Sequence, residues 1–160
     1  MIPSSSCFLL PIFFLPLIPK INYSLVFLTM ISSIYYSIPI KNYKLYLLFQ
    51  LLENCAFINM CSMVRYQNVH YSLYLILLFL LEYRFSQTKM VLYLINGITI
   101  FSNLNIDSRI EFWLFISTCT FLNTCLRVNT RFLWHERWIW HFGQSMYLYH
   151  CLKYKKNLLV

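Results

Sequence analysis

The sequence predicts an all-α membrane protein, a compact bundle of about seven transmembrane helices with short loops, and three observations predict it. Hydrophobic residues make up 59% of the 160 and charged residues only 11%, with a mean hydropathy of +0.58, whereas a globular domain of this size carries far more polar surface. Basic residues fall between apolar stretches rather than within them, at Lys20, Lys41, Lys44, Arg65, Arg84, Lys89 and Arg109. At roughly 20 residues per span, this length accommodates about seven spans and almost no other domain.

Cutting the chain at charges and polar clusters places the spans near 7–19, 22–40, 45–64, 70–83, 90–106, 110–126 and 132–152. Pro3, Pro11, Pro16 and Pro19 interrupt residues 1–19, which lack the basic n-region of a cleaved leader and are taken to hold a short first helix. The remaining spans are joined by a few residues each, which makes consecutive helices antiparallel neighbours. The whole chain, 1–160, is therefore expected to form a single domain. Several spans are shorter than 20 residues, which favours a thin bilayer such as the endoplasmic reticulum or another internal membrane. Lys and Arg divide almost evenly between the two faces, so the positive-inside rule assigns no orientation.

The net charge of +8 arises from 13 Lys plus Arg against 5 Asp plus Glu. In a polar chain that balance would suggest nucleic acid, but here the cations sit where headgroups would be. The expected partners are therefore membrane lipids, with other membrane proteins as a further class and no nucleic acid. Six cysteines show neither a CxxC pair nor zinc-finger spacing and read as buried thiols. With Gly97 and Gly143 as the whole glycine complement, phosphate-cradling loops are excluded.

An ionisable group within an apolar span is costly and marks a candidate site. Glu53 lies in such a run, roughly 12 Å from the start of its helix. The stretch Trp134–His141 is dense in polar and aromatic residues, and Arg137, His141 and Ser145 recur at i, i+4 and i+8 on one helix face. Counted from one face of the bilayer, Ser32, Glu53 and His141 share a level roughly 12 to 14 Å deep. They form the candidate catalytic set, with His141 and Glu53 as candidate metal ligands. The bland alternatives are a protonated Glu53 bonded to a neighbouring helix and a structural His141 beside an interfacial aromatic belt.

Three short motifs carry a resemblance. Ser32-Ser33-Ile34-Tyr35-Tyr36, Phe49-Gln50-Leu51-Leu52-Glu53-Asn54 and Arg137-Trp138-Ile139-Trp140-His141 resemble the helix-2, helix-3 and last-helix motifs of the CREST superfamily. That superfamily comprises seven-helix alkaline ceramidases, adiponectin-type receptors, SID-type proteins and myomaker-like proteins. The resemblance implies a zinc-activated water that cleaves lipid amides or esters, but Tyr36 and Arg137 stand where two of the three histidine ligands belong, and Glu53 stands for Asp. Three protein ligands are needed for such a site. A non-catalytic role in membrane or lipid biology is therefore expected, with no cofactor. A zinc-dependent lipid amide hydrolase is the alternative, and a small transporter or membrane-complex subunit is the third.

Overall fold

The computed structural model describes residues 3–15, 18–39, 41–65, 107–126 and 133–158. Among these, a 3-10 helix at Ser4–Leu9 runs into α1 (Leu10–Phe14), followed by α2 (Pro19–Ser37), α3 (Tyr43–Arg65), α4 (Ser108–Leu126) and α5 (Leu133–Leu158).

Proline sets most of the N-terminal boundaries. A residue preceding proline is pushed out of the α region by the pyrrolidine ring. Leu15 before Pro16, Ile18 before Pro19 and Ile38 before Pro39 obey, with ψ of 117°, 135° and 127°, whereas Leu10 before Pro11 is helical at ψ −41°. Pro19 then occupies the first turn of α2, where its missing N–H costs nothing. Asp107 begins α4, its Oδ1 accepting the Arg109 N–H at 2.7 Å, and Glu111 adds negative charge near the positive end of the helix dipole. Lys155 and Lys156 complement the opposite pole in the last turn of α5.

The helices pack pairwise, α2 against α3 and α4 against α5, with the 3-10 helix lying against both α2 and α5. Leu25, Leu28, Phe57, Met60, Ile110 and Leu148 belong to one continuous apolar core together with Phe8 of the 3-10 helix. At Gly143 α5 comes close to α4: an added Cβ would meet the Ser117 backbone N at 3.4 Å.

This architecture overturns the expectation of a seven-span transmembrane bundle, and with it that of an integral membrane protein of the endoplasmic reticulum or another internal membrane. Among the described residues, no helix is long and apolar enough to cross a membrane. The first expected span, 7–19, is broken by its prolines into a 3-10 turn and a five-residue α1. In α2, Asn22, Ser24, Thr29, Ser32 and Ser33 dilute the apolar residues. In α5, Arg137, His141, Gln144, His150 and three lysines do the same. Tyrosine also counts toward the apolar fraction while carrying a hydroxyl that needs a partner, as the Tyr35–Tyr46 hydrogen bond of 2.6 Å illustrates. The expected spans at 70–83 and 90–106 lie outside the described residues.

The Gly143 contact makes a prediction about size. A methyl group reaches ordinary contact distance and adds helix propensity worth about 1 kcal/mol, so Gly143→Ala should keep or raise the melting temperature. Gly143→Leu should lower stability by about 1 to 3 kcal/mol, because the Ser117 backbone cannot swing aside. Equal tolerance of both in thermal unfolding would rule out this packing of α4 on α5.

Candidate functional site

Buried Ser5, Ser32, His141 and Ser145 gather where α2, α3 and α5 meet the 3-10 helix. One helical face of α5 supplies three of them. Arg137 holds its guanidinium over the Tyr36 ring, 4.9 Å from the centroid. One turn on, His141 Nδ1 is 2.9 Å from Ser4 Oγ. After another turn, the Ser145 hydroxyl donates to the Cys7 carbonyl. The i, i+4, i+8 spacing thus puts all three on one face, with Arg137 meeting α2 and His141 and Ser145 meeting the 3-10 helix.

On the other side, α2 presents Ser32, Ser33 and Tyr36. Ser32 Oγ donates to Glu53 Oε1 of α3 at 2.9 Å, and Ser33 and Ser5 share a hydrogen bond of 2.6 Å. Of the three residues singled out in the sequence, Ser32 and Glu53 are therefore in direct contact. His141 bonds to Ser4 instead, and reaches α2 through the Tyr36 ring at 5.1 Å. Glu53 and Arg137 have different partners: the carboxyl group is held by a serine and the guanidinium by an aromatic face. The sequence reading missed Ser4 and Ser5. The run Ser4-Ser5-Ser6 immediately after Pro3 is a helix-start signal and could have marked them.

The electrostatics of the two ionisable groups are opposite. His141 is fully buried, with Phe8 and Trp140 as well as Tyr36 against its ring, at 5.4 and 5.3 Å. Burial, and then the nearby Arg137 charge, lower its pKa to about 4, against a weaker opposing effect of hydrogen bonding at Ser4. The imidazole is thus neutral at pH 7, and its Nε2 is buried without a hydrogen-bond partner, at a cost of about 1 to 3 kcal/mol. Glu53 keeps some exposed surface, yet burial of its carboxyl pushes the pKa up to about 7, partly offset by the Ser32 hydrogen bond.

Chemically, Ser4 and His141 stand at the separation of a nucleophile and its base. The environment opposes that use: accepting the serine proton would create an imidazolium inside an aromatic enclosure beside Arg137. A base with a pKa near 4 is far from the value suited to work at neutral pH. The buried thiols are no better nucleophiles, since burial pushes Cys55 to about 11 and Cys151 to about 12. As for zinc, no group of three or more His, Cys, Asp or Glu side chains that could hold a metal occurs among the described residues. Tyr36, whose ring lies against His141, also takes the Arg137 guanidinium over its face.

No protein-family model, curated protein or solved structure matches the chain.

The two shifted groups make opposite contributions to stability. Glu53, whose pKa rises from 4.5 to about 7 on folding, stabilises the fold below pH 4.5, and that contribution is lost as pH rises through 7. His141, whose pKa falls from 6.5 to about 4, stabilises it above pH 6.5, and that contribution is lost as pH falls through 4. Between pH 4.5 and 6.5 the two slopes, each up to about 1.4 kcal/mol per pH unit, cancel. Denaturant titrations across this window should give nearly constant stability for the wild type. Glu53→Gln should instead gain stability with rising pH and His141→Gln should lose it; parallel profiles for all three proteins would refute these environments.

Proposed function

We propose that the chain is a non-catalytic protein that works against an anionic lipid surface, contacting lipid along the outer face of α2 without crossing the bilayer. The observation that carries this reading is the exposure of an apolar stripe on a helix whose opposite stripe is already buried. Ile21, Leu25, Leu28, Ser32 and Tyr35 face the interior. Tyr23, Val26, Phe27, Met30 and Ile34, at i, i+3, i+4, i+7 and i+11, face outward, with Tyr23 75% and Met30 57% exposed. Exposed apolar stripes of this kind mark contact surfaces.

Cations stand at both ends of the stripe and select the partner. Lys20 is exposed at the start of α2, and Lys41 and Lys44 are exposed just beyond its end. An apolar helix face flanked by lysines suits the boundary between acyl chains and anionic headgroups, where each cation contributes about 1 kcal/mol. The neutral His141, the poorly nucleophilic buried thiols of Cys55 and Cys151 and the Tyr36–Arg137 pairing support a polar cluster that holds the helices together and performs no hydrolysis. The lipid role implied by the CREST resemblance is kept in this proposal, and its zinc chemistry is not.

Vesicle co-sedimentation tests it. Binding to vesicles containing phosphatidylserine should exceed binding to pure phosphatidylcholine and should fall with salt. Replacing Lys20, Lys41 and Lys44 by Gln should weaken it by on the order of a hundredfold. Phe27→Ser with Met30→Ser should weaken binding to both kinds of vesicle. Binding that ignores lipid charge and both sets of substitutions would defeat the proposal.

A further inference from the structure

Tyr35 of α2 and Tyr46 of α3 meet with their hydroxyl oxygens 2.6 Å apart and their ring centroids 4.7 Å apart, the planes inclined by 35°. A hydrogen bond alone would bring only the oxygens together. Here the rings are drawn together as well, and with them the ortho carbons, each one bond from a hydroxyl-bearing carbon. Those carbons share the unpaired spin of an oxidised phenol. The two residues stand 11 positions apart, on either side of the connection between α2 and α3.

A run of aromatic rings leads to the pair. Between centroids, Trp140 lies 5.3 Å from His141, His141 5.1 Å from Tyr36, and Tyr36 4.7 Å from Tyr35. The Arg137 guanidinium over the Tyr36 ring disfavours positive charge there, which pushes an electron vacancy on to Tyr35. An oxidised phenol is a strong acid. The hydrogen bond gives its proton a path to the partner hydroxyl, and Tyr46 keeps some exposed surface through which a proton reaches water. Burial keeps the nearby thiols of Cys55 and Cys151 protonated, so they are poorer electron donors than thiolates.

We infer that Tyr35 and Tyr46 form a site of oxidative modification, at which a one-electron oxidant joins α2 to α3 through a dityrosine bond. Each phenol gives one electron to one equivalent of the oxidant and its hydroxyl proton to water. The two radicals then pair in a single bond between ortho carbons, and the hydrogen on each of those carbons moves to the oxygen beside it. The net change is the loss of two electrons and two protons. Nothing in this step depends on lipid binding.

Photogenerated tris(bipyridine)ruthenium(III) is the oxidant that tests it, after accessible thiols are alkylated. Trypsin cuts after Lys20, Lys41, Lys44 and Arg65, so the bond should join residues 21–41 to 45–65. The joined peptides should be lighter than their sum by two hydrogen atoms, come from monomeric chain, show dityrosine fluorescence, and fragment with the link at Tyr35 and Tyr46. Held contact should favour this link over any other among the 13 tyrosines by on the order of tenfold or more. Tyr35→Phe and Tyr46→Phe should each abolish it, whereas Tyr23→Phe, at an exposed position, should leave it unchanged; circular dichroism checks that all three fold. Oxidation in urea should erase the preference, and the linked chain should unfold at a higher denaturant concentration, because a closed loop restricts the unfolded state. The peptide map of the unaltered chain stands without the variants. Links spread over exposed tyrosines, links between chains, the same yield in urea, or no link in the folded chain would each overturn the inference.

Discussion

The arrangement depends on how the Ser4–Leu9 segment is fastened to α5. A six-residue 3-10 helix has poor internal hydrogen bonding and little stability of its own. It is held because His141 and Ser145, one turn apart on α5, engage the Ser4 hydroxyl and the Cys7 carbonyl, while Ser5 reaches Ser33 on α2. Phe8, packed against both His141 and Phe57, joins these polar contacts to the apolar core. Without that segment, α2 and α5 would lose the element that lies against both.

The same fastening shapes the site. A short polar segment laid over His141 removes the imidazole from water, and this burial, more than any neighbouring charge, depresses its basicity. Glu53 is governed by the same physics with the opposite sign, since burial favours its neutral acid. Two desolvated groups of opposite type in one core let the molecule hold polar residues inside with little net charge at neutral pH. The Arg137 guanidinium is met by an aromatic face rather than by a carboxylate.

Legibility in the sequence followed the range of the physics. Helices near 22–40, 45–64, 110–126 and 132–152 were expected, and α2, α3, α4 and α5 lie there, because the segments between charges and prolines were read directly from the chain. The break within 7–19 was visible in its prolines but was taken as a short continuous helix. The bilayer was inferred from average hydropathy, which does not register how evenly Ser, Thr, Asn and Tyr are spread through each apolar run. Among the site residues, the shared face of Arg137, His141 and Ser145 was legible as helical periodicity. The partners of that face were not, since Ser4 lies 137 positions from His141.

The sequence by itself determined several boundaries in the N-terminal part of the chain, through proline's steric exclusion of the α region before it, and which residues share a helix face, through the 3.6-residue repeat. It also determined that Glu53 and His141 would be costly wherever they were buried. Only the tertiary structure decided which groups met that cost: Ser32 for Glu53, Ser4 for His141, Tyr36 for Arg137. Such pairings join elements distant in the chain, and are set by how α2, α3, α5 and the N-terminal segment pack, which no local pattern encodes.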